Sequence, residues 1–284
     1  MSSTRIFLCA INNVRSGSCN EDCAFCTQSV RHKADIRRYT YKNPDVVLEE
    51  ARTAAAQGAL GYCLVTAGKG LDEKCTEYIA RLGTLLSKEL PGLRLIACNG
   101  TATPEQLRHL KAHGISSYNH NLETSERYYP SICTTHDWRE RYATCEAVKS
   151  AGLSLCSGGI FGMGEEPEDR ESLLQSIRSL SPDSVPLNFY LPNPALPIPE
   201  RTINRHGALE VIRRTRALMP NLSILMVAGG REALFEGAER EMFDAGANAI
   251  VLGNYLTVAG EAPDRDRRRL ESLGYTVATE CHGS

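Results

Sequence analysis

No run of about 18 or more apolar residues occurs in this chain of 284 residues, so no membrane-spanning helix is expected. Charge of one sign is also missing in any excess. The formal net charge is −2, which offers no field to attract nucleic acid. Neither a GxGxxG run nor a Walker lysine is present, so no ready-made phosphate loop can be read from the chain. Internal repeats and low-complexity linkers are lacking too, which leaves one domain spanning 1–284, with a C-terminal tail from about 275. The first apolar stretch, Ile6–Ile11, is too short for a signal-peptide core, and no small-residue cleavage site follows it. A cytoplasmic location is therefore expected. In such a reducing compartment the eleven cysteines read as metal-binding or redox residues rather than as a disulfide framework.

Three of those cysteines fall in one short run, Cys19-Asn20-Glu21-Asp22-Cys23-Ala24-Phe25-Cys26. Three thiolates on one loop can hold a single metal centre and leave a coordination position open. Structural zinc takes four protein ligands, whereas an open position is kept by a centre that binds a reactant. A [4Fe–4S] cluster with one free iron suits the loop best. The alternative is a structural zinc completed by Cys9 or His32. Cys75 and Cys145 lie in helix-like stretches and are expected only to fill core space.

Short β-rich apolar runs alternate with charged helical stretches along the chain. The runs lie near Ile6–Ile11, Leu60–Thr66, Leu93–Cys98, Ser116–Leu122, Leu153–Ile160, Val185–Leu191, Ser223–Ala228 and Ala249–Leu252. Helices are predicted at about Pro44–Gln57, Glu73–Lys88, Pro104–Ala112, Asp137–Ala151, Glu168–Leu180, Gly207–Leu218, Glu232–Asp244 and Arg265–Leu273. Asn43-Pro44 and Thr103-Pro104 open two of them, and Gly114 and Gly152 close others. Eight such units imply a single-domain α/β fold, a TIM-type (β/α)8 barrel; a doubly wound sheet is the rival. The Pro-rich stretch Pro186–Pro199 reads as a stiff loop after the sixth strand.

Barrel active sites lie at the C-terminal ends of the strands, which places the Cys19–Cys26 loop over that mouth. Barrel interiors usually hold Val, Ile and Leu. Here Cys63, Cys98 and Cys156 and the amides Asn119, Asn121 and Asn188 fall on the strands. Taken singly, each thiol reads as an inert buried residue; together the three point to a second metal centre. In Tyr118–Glu123, Asn119, Asn121 and Glu123 alternate along a strand and point one way, and a carboxylate at a strand end can accept from ribose hydroxyls. The glycine-rich turn Ser157–Glu165, with Ile160 in it, would let backbone approach a flat ring closely. Arg141, flanked by Arg139 and Glu140, reads on its own as a surface ion pair.

The Cys-x3-Cys-x2-Cys loop, with Phe25 before its last cysteine, resembles the signature of the radical S-adenosylmethionine superfamily. With Cys26–Ser29, Tyr118–Thr124, Cys156–Glu165, Ser184–Asn188 and Ala228–Glu232 in the same order, the chain resembles the biotin synthase family over nearly its whole length. That resemblance implies sulfur insertion into dethiobiotin by a 5′-deoxyadenosyl radical, the last step of biotin formation. It implies a [4Fe–4S] cluster on Cys19, Cys23 and Cys26 and a sulfur-donating second cluster, [2Fe–2S] or a variant, on Cys63, Cys98 and Cys156. S-adenosyl-L-methionine would meet Asn121, Glu123, Arg141 and Ile160; Asn119, Asn188 and Thr257 would meet the substrate. Reduced flavodoxin or ferredoxin as electron donor, and a homodimer, are further implications.

One departure touches the chemistry. Many members carry an arginine five residues before the arginine of Gly-Arg-Glu as a ligand of the second cluster, and Met226 stands there. A neutral thioether is a weaker ligand, so Cys133 or Cys281 is expected to compensate. Rival readings are a methylornithine synthase-like or hydrogenase-maturase-like barrel and a non-catalytic iron–sulfur carrier. A carrier has no use for a closed barrel lined with amides.

Overall fold

A computed structural model of the chain describes residues 5–257 and 260–280. Parallel strands β1 (Arg5–Arg15), β2 (Gly61–Thr66), β3 (Arg94–Cys98), β4 (Ser117–Asn119), β5 (Ser154–Cys156), β7 (Ser184–Phe189), β8 (Ile224–Val227) and β9 (Ala249–Leu252) pair in that order, and β9 pairs back to β1. The sheet is a closed eight-stranded barrel, as the alternation of strands and helices predicts. Between β5 and β7 in the chain, the short strand β6 (Gly159–Phe161) pairs only with β7.

The helices between the strands are α1 (Pro44–Ala56), α2 (Glu73–Glu89), α3 (Pro104–Ala112), α4 (Trp138–Ser150), α5 (Pro167–Ser179), α6 (Arg205–Leu218), α7 (Arg231–Phe235), α8 (Glu239–Asp244) and α9 (Pro263–Ser272). Their starts are chemically marked. Asn43 caps α1 with proline at the next position, and Thr103 with Gln106 forms a capping box on α3. Asp137 with Glu140 does the same on α4, and caps of this kind contribute about 0.5–2 kcal/mol each.

The strands carry two different faces. Leu64, Leu95, Leu155, Val185, Leu225 and Ile250 point outward and are buried beneath the helices, each worth about 1.5–3 kcal/mol on burial. In parallel register the residues between them share the inner face: Cys9 lies opposite Gly61, Ile11 opposite Cys63, Asn119 opposite Cys156 and Pro186 opposite Met226.

Three predicted elements differ from the structure. The expected strand Leu153–Ile160 is broken at Ser157-Gly158 into β5 and β6, because a Cβ on Gly158 would lie 1.9 Å from the Pro186 carbonyl oxygen. The expected helix Glu232–Asp244 divides into α7 and α8 around Gly237, whose φ is +76°. The fourth strand stops at Asn119, so Asn121 and Glu123 do not continue its alternation; Glu123 is left-handed at φ 68°. Within the stretch read as a tail, Thr276 and Val277 form β10 (Thr276–Val277) beside Arg5 and Ile6 of β1. Cys281 lies outside the described residues. No helix among the described residues is long and apolar enough to cross a membrane.

Candidate active site

The cysteine loop leaves the C-terminal end of β1 and is tied at both ends. Gly17, at φ +69°, lets the Arg38 side chain pass where a Cβ would sit 2.5 Å from Cγ, and Arg38 Nη1 donates to the Gly17 carbonyl at 2.6 Å. The Gln28 amide oxygen accepts from the Gly17 N–H at 2.6 Å. Cys19 N–H donates to the Gln28 carbonyl at 3.3 Å, and Val30 N–H to the Cys19 carbonyl at 2.8 Å. These bonds bring the segments around Cys19 and Cys26 side by side, with Cys26 N–H turning back onto the Cys23 carbonyl at 3.1 Å. Burial pushes the Cys19 thiol up, and the Cys26 thiol up to about 11.

Neither residue expected to complete a zinc site does so. His32 Nε2 meets the Cys23 carbonyl at 3.0 Å. Cys9 is on β1, with its sulfur 2.5 Å from where a Cβ on Gly61 would be, inside the barrel. The loop therefore keeps three thiols, without a fourth from these positions.

Cys133 corrects the expectation that it serves the second group of thiols. Its sulfur lies 3.7 Å from Cys23 Sγ, 3.3 Å from Asp22 Oδ1 and 3.2 Å from His136 Nδ1. The reason is local: Asp22 accepts from Thr134 N–H at 2.9 Å and from the Thr135 hydroxyl at 3.1 Å, which draws the loop after β4 onto the cysteine loop. His136 Nδ1 also meets Glu21 Oε2 at 2.7 Å. His136 was not visible as a site residue, although the Cys133-Thr-Thr-His136 spacing is a metal-ligand spacing.

Next to this loop the structure gathers Asn121, Glu123, Arg141 and Ile160. Arg141 is not a surface residue: Nη2 donates to Glu123 Oε1 at 2.9 Å and Nε to the Asn121 carbonyl at 2.6 Å. The side chains are 13% and 10% exposed. Asn121 Oδ1 accepts from Gly158 N–H at 3.2 Å, and Ile160 N–H donates to the Glu123 carbonyl at 2.8 Å. Burial pushes the Glu123 carboxyl up despite Arg141, and its buried Oε2 has no hydrogen-bond partner among the described residues. Burial opposes the charge on Arg141, but Glu123 and its other neighbours together outweigh it and hold the guanidinium above its ordinary range.

Inside the barrel Asn119 stands between two thiols. Its Nδ2 donates to Cys156 Sγ at 3.2 Å, and Cys98 Sγ donates to its Oδ1 at 3.7 Å. Hydrogen bonding with Cys98, then burial, pushes the Cys63 thiol well up; burial pushes Cys156 up to about 11. Asn188 Oδ1 accepts from Gly229 N–H at 3.0 Å and its Nδ2 donates to the Gly159 carbonyl at 3.2 Å. Arg94, on the inner face of β3, donates to Ser154 Oγ at 2.5 Å and exerts a lowering pull on Cys156. Its place at even spacing before Cys98 on one strand was the overlooked signal. Met226 shares the inner face with Pro186 and Ala249. Thr257 Oγ1 lies 2.8 Å from Thr27 Oγ1 and helps to line a cavity of about 580 Å³ with Asn13, Tyr39 and Leu256.

A closed parallel barrel with three cysteines in the loop after its first strand defines the radical S-adenosylmethionine class of enzymes, and residues 13–177 match the Radical SAM superfamily. Residues 186–276 match the Biotin and Thiamin Synthesis associated domain. The chain is 65% identical to the biotin synthase of Sulfurovum sp. (strain NBC37-1) over 281 residues, 98% of this chain and 99% of that one. It is 56% identical to that of Sulfurimonas denitrificans, covering 97% and 98%. The chain belongs to the biotin synthase family. Its fold is shared with methylornithine synthase (TM-score 0.82, 21% identity, 97% of this chain and 84% of that one). The FeFe-hydrogenase maturase of Carboxydothermus hydrogenoformans shares it as well (TM-score 0.83, 15% identity, 96% and 67%).

Proposed function

We propose that the chain inserts sulfur into dethiobiotin to give biotin, with Cys19, Cys23 and Cys26 holding a [4Fe–4S] cluster and Cys63, Cys98 and Cys156 a second, sulfur-donating one. The observation that carries this reading is the division of the thiols into two separate groups, one over the barrel mouth and one within its lumen. Both groups fit iron: they offer soft thiol donors, with Cys19, Cys63 and Cys156 buried and Cys23, Cys26 and Cys98 partly exposed. When bound, the clusters and S-adenosylmethionine supply an electron, a carbon-centred radical and the sulfur.

The residues of the chain position and insulate. Glu123 Oε2, without a hydrogen-bond partner among the described residues, is an acceptor suited to a ribose hydroxyl, and Arg141 holds the other carboxylate oxygen so that Glu123 stays in place. Arg141 is also the nearby cation suited to the carboxylate of S-adenosylmethionine. The left-handed backbone at Glu123 turns its carbonyl onto Ile160, which fixes the Gly-rich turn against the nucleoside site. Asn119 orients Cys98 and Cys156 and, with Asn188 and Thr257, offers polar atoms to the ureido ring and carboxylate of the substrate. The closed barrel keeps water from a radical formed inside it. Reduced flavodoxin or ferredoxin as electron donor belongs to the same proposal.

Anaerobic turnover of the iron- and sulfide-loaded chain with S-adenosylmethionine, dethiobiotin and a strong reductant tests the reading. Biotin together with 5′-deoxyadenosine supports it. Deoxyadenosine without biotin keeps the radical chemistry and rejects the substrate or the second cluster. Neither product from a chain with an intact first cluster rejects the whole.

A further inference from the structure

Cys23, Cys133 and His136 bring one ligand atom each within 4.8 Å of one another. The two sulfurs stand at the separation that a single tetrahedral ion requires. Two thiolates at about 2.3 Å from such an ion lie roughly 3.8 Å apart, and a thiolate and an imidazole nitrogen roughly 3.6 Å. Cys23 Sγ and Cys133 Sγ are 3.7 Å apart, and Cys133 Sγ is 3.8 Å from His136 Nε2 and 3.2 Å from Nδ1. Cys133 Sγ is nearer Nδ1 than Nε2 and so sits beside the ring, off the Nε2 lone pair. A turn of the ring about its Nδ1–H bond to Glu21 Oε2, 2.7 Å, is needed to bring Nε2 to the ion in a carboxylate–histidine–metal arrangement. The contact to be displaced is the long one, 3.4 Å from Arg141 Nη1 to Nε2. Asp22 is occupied by Thr134 and Thr135, so the fourth position falls to water.

We propose that the chain without its first cluster binds one soft divalent metal ion, zinc in preference, through Cys23, Cys133 and His136. Both this ion and the cluster claim Cys23, so occupation by one excludes the other; that exclusion, though not the site, rests on the cluster assignment above. The site makes iron–sulfur loading dependent on the supply of free zinc. The metal displaces the protons that the two sulfurs hold between them, and no electron is transferred.

Cobalt(II) titration of the full-length chain, freed of iron under anaerobic conditions, reads the site through thiolate-to-metal absorbance and tetrahedral ligand-field bands. The parent is expected to take up one equivalent more than Cys133→Ser, displaced by zinc, with uptake common to both belonging to the lumen thiols. Cys133→Ser and His136→Ala are expected to weaken binding at least 10-fold, whereas Cys19→Ser and Cys26→Ser change it less than 2-fold. His136→Cys retains binding with stronger thiolate absorbance, which separates lost ligation from lost folding. Cobalt bound equally by the parent and Cys133→Ser overturns the site, as does binding abolished by Cys19→Ser or Cys26→Ser alone. One equivalent of zinc is expected to slow cluster reconstitution in the parent and not in Cys133→Ser; equal rates overturn the exclusion. If the zinc-free parent assembles no cluster, the cluster assignment falls and the exclusion with it, while the cobalt result still decides the site.

Discussion

Arg141 and Glu123 form an ion pair 2.9 Å long beneath the surface, one from α4 and the other from the left-handed residue after β4. Breaking a buried pair from one side costs more than removing both partners, because the remaining charge stays desolvated. Arg141→Ala is expected to lower unfolding free energy by about 3–5 kcal/mol, and Arg141→Ala with Glu123→Gln by less than the sum of the two. Denaturant titration of the three variants measures it; strict additivity would count against the pairing.

The same carboxylate sets a pH dependence. Burial raises the Glu123 carboxyl above its ordinary value of 4.5, so the folded chain binds this proton more tightly than the unfolded chain does. Its contribution to stability therefore falls as pH rises above 4.5 through the folded value. Glu123→Gln is expected to remove that part of the decline in a pH series of unfolding curves.

Asp169 behaves in the opposite sense. Burial alone would raise its carboxyl, but the Ser125 hydroxyl at 2.6 Å and a two-point bond from Arg127 hold it below its ordinary value of 3.8. Its stabilisation is present above 3.8 and lost as pH falls through the folded value. Asp169→Asn is expected to cost about 1–3 kcal/mol at neutral pH and to flatten the acid limb of the stability curve.

Loading of the barrel thiols is expected to depend on pH and on Arg94. Burial holds Cys156 as a thiol up to about 11, so iron must displace its proton, and assembly at this group speeds up as pH rises from neutrality. Arg94→Gln removes the lowering pull on Cys156 and shifts that dependence to higher pH. Iron and sulfide content after reconstitution across a pH series checks both; superimposable profiles would dismiss the role of Arg94.

Gly158 is expected to tolerate no side chain. A Cβ there would meet the Pro186 carbonyl oxygen at 1.9 Å and its carbon at 2.8 Å, both backbone atoms. Gly158→Ala must push β5 away from β7, whose short ladder pairs Cys156 with Ser184. Loss of the cooperative transition, or a fall of more than about 2 kcal/mol, is the outcome a thermal melt should show.

Most of the barrel was legible because hydrophobic period and end caps are local properties. The predicted helix Pro104–Ala112 is α3 to the residue, and its Thr103–Gln106 capping box lies in the chain within one turn. The breaks were not legible. The split between β5 and β6 comes from the approach of Pro186, nearly thirty residues later in the chain, and no local pattern at Gly158 announces it. The Cys19–Cys26 loop was readable from spacing alone, since three thiols within eight residues must lie close together.

What the sequence by itself determined is therefore whatever chain neighbours decide: the βα alternation, the helix starts, the cysteine loop, and a family resemblance carried by short motifs in order. Only the tertiary structure decided which distant side chains meet. It set Cys133 beside Cys23, across 110 residues of chain, rather than in the lumen. It buried Arg141 on Glu123, where the local sequence reads as a charged helix face. It aimed Arg94 inward, to Ser154 on β5. The physical reason is closure: side-chain direction around a barrel is fixed by strand register, and register is settled only when the last strand pairs with the first.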